Sequence, residues 1–153
     1  MKMYMLTALA VLALTPVVYA AGPDASIDLV GEKAGVSFQC AMLAGHAGNK
    51  ILPKGEPERL FEYGYAAAKV GWQALRTTPG FRQGFGPHFG FLAGKSDEFF
   101  IGMVVAGAAA DIDKFLSNEV PIEPGVTTEQ RMQLQGLVAL QEFQRRNCRL
   151  IGK

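Results

Sequence analysis

The two cysteines of this chain, Cys40 and Cys148, stand 108 residues apart, so a bond between them would close most of the chain into one loop. Such a bond persists in an oxidising compartment and is rare in the cytoplasm, which makes the address of the chain part of the fold argument. The first twenty residues supply that address. Lys2 is a positive charge, Leu6 to Leu14 is apolar and small apart from Thr7, and Val18-Tyr19-Ala20 places small residues at the two positions a signal peptidase inspects. Residues 1–20 read as a signal peptide cut before Ala21, and the mature protein is expected to be periplasmic or secreted. A membrane anchor is the competing reading, but the uninterrupted apolar stretch is shorter than the roughly 20 residues a spanning helix requires, and Pro16 breaks it. No lipoprotein cysteine follows the leader. The cysteine spacing is unlike a Cys-X-X-Cys redox motif, so the sequence predicts a structural disulfide, against the alternative of two buried thiols. Closing about 100 residues stabilises by ~4 to 5 kcal/mol on the chain-entropy model.

By length, residues 21–153 form a single domain. In the full sequence 15 Lys and Arg face 14 Asp and Glu, so no basic excess points to nucleic acid. Ala21 to about Val30, with Gly22-Pro23 and Gly31, reads as an arm. From Glu32 to His46, Val36, Cys40, Met42, Leu43 and Ala47 share a face at helical spacing, which turns Cys40 inward. Gly48, Asn49, Pro53 and Gly55 mark a loop. A second helix opens with Glu56, Pro57 and Glu58 and stops at Thr77-Thr78-Pro79-Gly80. Its Gly64 and Gly71 lie on one ridge and cost about 1 kcal/mol each relative to Ala, which predicts that a neighbouring helix crosses close there. Ser96-Asp97-Glu98 starts a third helix running to Leu116. Its uncharged middle, Gly102 to Ala110, marks it as the expected central helix. Pro121 and Pro124 punctuate a linker. Thr127 and Gln130, in capping-box spacing, then open a last helix that ends near Asn147. With no strand alternation, the expected fold is all-α: a single small bundle of about four helices, orthogonal or up-and-down, closed by one disulfide.

Motifs that could carry chemistry are sparse. Gly90 to Ser96 falls one residue short of a phosphate-binding loop and follows no strand, so Lys95-Ser96 reads as a helix start. His46 and His88 stand alone, and with both cysteines bonded a zinc site would need carboxylates from distant loops. Neither Ser37 nor Ser96 has a base at nucleophile spacing. Asp111 and Asp113 point to different sides of a helix, while Glu58 and Glu62 read as a solvated stripe. Arg145, Arg146, Arg149 and Lys153 complement the negative end of the last helix. The segment Phe81 to Gly94 interleaves four phenylalanines with glycine. It either covers the core or offers a contact surface, whose candidate residues are Phe85, His88, Phe89 and Phe91.

Phe38-Gln39-Cys40-Ala41, Arg59-Leu60-Phe61 with Gly64-Tyr65, and Asn147-Cys148-Arg149-Leu150-Ile151 resemble a group of small exported proteobacterial proteins with a Cys in an early helix and Asn-Cys near the end. That resemblance implies a helical, disulfide-closed fold and no particular activity. The sequence is therefore read as a non-enzymatic binding protein acting on a protein partner in the cell envelope, inhibitor-like or immunity-like. It predicts no cofactor, no metal, no nucleic-acid partner and no stable membrane insertion after cleavage of the leader. A helical pocket for a small apolar ligand is the alternative, and an enzyme of unrecognised type the third.

Overall fold

The computed structural model describes residues 23–48, 51–77 and 95–153. The leader expected over residues 1–20 lies outside them. Helix α1 spans Pro23–Ala47, α2 Glu56–Thr77, α3 Asp97–Glu119 and α4 Thr128–Arg145, and one 3₁₀ turn, Cys148–Leu150, follows. No strand occurs among the described residues. The first helix starts earlier than the glycines and Pro23 suggest. Proline is tolerated at the first helical position, so the expected arm over 21–30 is helical from Pro23 onward.

Residue pairing fixes the directions. Phe38 meets Gly64, Ala34 clusters with Ala68, and Gly31 faces Gly71 across a hollow, so α2 runs antiparallel to α1. The same holds for α4, whose Gly136 lies under the His46 carbonyl while Arg146 reaches Gln39. In contrast, α3 runs with α1: Ile101 joins the cluster of Ala34, and Asp111 bonds Gln39. The helices alternate in direction, and α1 touches all three others. It is α1, not α3, that is central. On α3 Gly102, Met103, Ala106, Gly107 and Ala110 are exposed, and Ile101, Ala108, Ile112 and Leu116 are buried. Glycine and alanine make a stretch uncharged without giving it much apolar surface to bury, which is why absence of charge misleads there.

Helix ends follow local chemistry. The Ser96 hydroxyl accepts the Phe99 N–H at 3.3 Å, capping α3, and Asp97 takes Arg76 of α2 at 2.7 Å. Thr127 and Gln130 form a reciprocal capping box on α4, with bonds of 3.2 and 2.9 Å. Asn147, in the left-handed conformation at φ 54°, then turns the chain out of α4 so that Cys148 points back to α1. The Cys40–Cys148 disulfide forms, with its Cα atoms 5.6 Å apart and both residues fully buried.

Candidate functional site

Beyond the disulfide the chain does not trail away. Cys148 to Lys153 folds as a tight turn, held by hydrogen bonds from the Leu150 and Ile151 amides to the Asn147 and Cys148 carbonyls. Three ties fix it to the bundle. The first is the disulfide to α1. The second is Arg59 of α2, which donates from Nη1 to the Ile151 carbonyl at 2.5 Å while its other nitrogens grip the Glu56 carboxylate at 2.9 and 2.8 Å. The third is contact between Gly152 and Tyr63. Gly152 has φ +71°, and a methyl group built on it would stand 2.7 Å from the Tyr63 ring, so only glycine passes there.

The turn so held makes one wall of an open groove of about 590 Å³. Glu32, Lys33, Val36 and Ser37 of α1 form the other wall, and Tyr63 of α2 lies between. Val36 is 37 % exposed, Tyr63 37 % and Leu150 69 %, an apolar lining left open to solvent although its backbone is tied on every side. Lys33, Lys153 and Glu32 are the charged side chains among its described lining residues, and Glu56 nearby is paired with Arg59. The hydrogen bond from Arg59 holds the Glu56 carboxyl below its ordinary range, and the nearby charges of Lys153 and Arg149 add to that effect. Ser37 is buried with its hydroxyl donated to the Lys33 carbonyl at 2.7 Å, so it offers the groove no nucleophile.

On the far side of the disulfide a second polar network ties α4 to its neighbours. Buried Glu142 accepts from Arg145 and Arg146, each at 2.6 Å. Arg146 also donates to Gln39 at 2.7 Å, and Gln39 to Asp111 at 3.1 Å, so one chain of bonds crosses α4, α1 and α3. The Arg145 hydrogen bond, with that of Arg146, brings the Glu142 pKa down to about 2. Arg145 and Arg146 thus serve a specific carboxylate more than the helix dipole expected from sequence.

A larger hollow of about 730 Å³ lies between the end of α1 and α4, beside Ile51, Met132 and Leu137. No separate element is tied down to shape its wall. A smaller one of about 250 Å³ is lined by Ala34, Ala68 and Gly71 over Trp72, which stacks on Phe100 at 4.1 Å. Of the residues singled out by sequence, Cys40 and Cys148 come together, whereas Phe85, His88, Phe89 and Phe91 lie outside the described residues. His46 sits in the last turn of α1, exposed and 3.7 Å from Asp113. No group of three His, Cys, Asp or Glu able to hold a metal occurs among the described residues, and no helix there is long and apolar enough to cross a membrane. Sequence reasoning missed Val36, Tyr63 and the turn 149–153 as a unit. The available signal was Leu150-Ile151, an apolar pair placed past the last helix between Asn147 and Gly152. In comparison with known proteins, no family model, curated protein or solved structure matches this chain.

Proposed function

We propose that this chain is an exported, non-catalytic binding protein that receives an apolar segment of a protein partner in the groove between α1, Tyr63 and the closing turn. The observation that carries this reading is the contrast between a groove wall tied at Cys148, Ile151 and Gly152 and apolar side chains left open on it. A surface that keeps apolar groups in water while fixing their backbone is preorganised, so a partner does not have to order it on binding. Export is supported by the leader-like residues 1–20 and by the disulfide, which suits an oxidising compartment. Site-directed photo-crosslinking in the envelope tests the reading, with Leu150→p-benzoylphenylalanine in the groove and Val70→p-benzoylphenylalanine on the exposed face of α2 as control. Position 150 should capture a discrete protein that position 70 does not, and Tyr63→Ala should remove the adduct. Identical adducts from both positions, or adducts indifferent to Tyr63, contradict it.

A second reading has its own observation in the 250 Å³ hollow floored by Trp72 and Phe100, which suits a small apolar ligand. Native mass spectrometry of the purified protein separates the two. A retained small-molecule mass that disappears with Ala68→Leu favours the second reading, and a bare polypeptide mass counts against it.

A further inference from the structure

We draw no further inference here: the strongest candidate, the hollow of about 730 Å³ between the end of α1 and α4 with Ile51, Met132 and Leu137 exposed along it, is an unpartnered apolar face, and nothing in the structure shows what covers it.

Discussion

The two ends of the bundle are held by different means. Around the disulfide, Cys40, Leu43, Leu60, Ile112, Leu116, Phe143 and Cys148 pack into a cluster of large side chains drawn from all four helices and the closing turn. Two charged networks border it, Glu56–Arg59–Ile151 and Glu142–Arg146–Gln39–Asp111. At the other end a smaller cluster, Ala34, Ala68 and Ala108 with Phe38 and Ile101, is flanked by the Trp72–Phe100 stack. Alanines bring helices close but remove little apolar area from water, and that area is what stabilises a core. The groove draws on the first of these ends, because its wall, the closing turn, is tied there by the disulfide and by Arg59.

Removing the bond should break this contrast hardest. The Cys40→Ala, Cys148→Ala double variant is expected to lose about 4 kcal/mol in urea unfolding, and an unchanged midpoint would mean that the cluster needs no covalent help. Next in size, Phe143→Ala should cost about 3 to 5 kcal/mol, against about 1 kcal/mol for Ala68→Gly at the alanine-rich end. Equal losses would erase the distinction between the two ends.

Acid acts on the disulfide end, to which both clamped glutamates belong. The Glu142 carboxyl has its folded pKa at about 2, below the ordinary 4.5. A group depressed in this way contributes its stability above the ordinary value and loses it as pH falls through the folded one. The protein should therefore lose on the order of 2 kcal/mol between about pH 4.5 and pH 2, and Glu142→Gln should flatten that stretch of the stability profile. A profile identical in the variant would show that the Arg145 and Arg146 bonds carry no such weight.

The smallest effects compare two glycines. A methyl on Gly64 would lie 3.0 Å from the buried Phe38 ring and 3.1 Å from Ser37, whereas one on Gly107 would meet nothing within 4 Å. Gly64→Ala should destabilise by about 1 to 2 kcal/mol, because the crowded ring cannot retreat, and Gly107→Ala should stabilise by about 0.5 to 1 kcal/mol through helix propensity alone. Thermal melts of the pair check both signs.

How much of this was legible in the sequence depends on the range of the interaction. Caps were legible at Ser96 and Thr127 because their chemistry is local, and Gly64 announced a close crossing because glycine is costly inside a helix. The disulfide was legible from the cysteine count and the leader-like residues 1–20. Which helix is central was not, since Gly102 to Ala110 is uncharged without being large. The early start of α1 was hidden because Gly22-Pro23 looks like a breaker and is in fact compatible with a helix start. Least legible was the groove. Lys33, Val36, Tyr63 and Leu150 to Lys153 are distant in sequence and meet only through Arg59, Gly152 and the disulfide, none of which has a local signature.

Hydrogen–deuterium exchange over residues 146–153, compared between oxidised and reduced protein, reads out whether the closing turn is held in place. Slow exchange at the Leu150 and Ile151 amides of the oxidised protein, lost on reduction before the Phe38–Gly64 crossing loosens, is the result expected if the disulfide and Arg59 hold the turn as a wall. Rapid exchange of those amides in the oxidised protein, or protection indifferent to reduction, would contradict it.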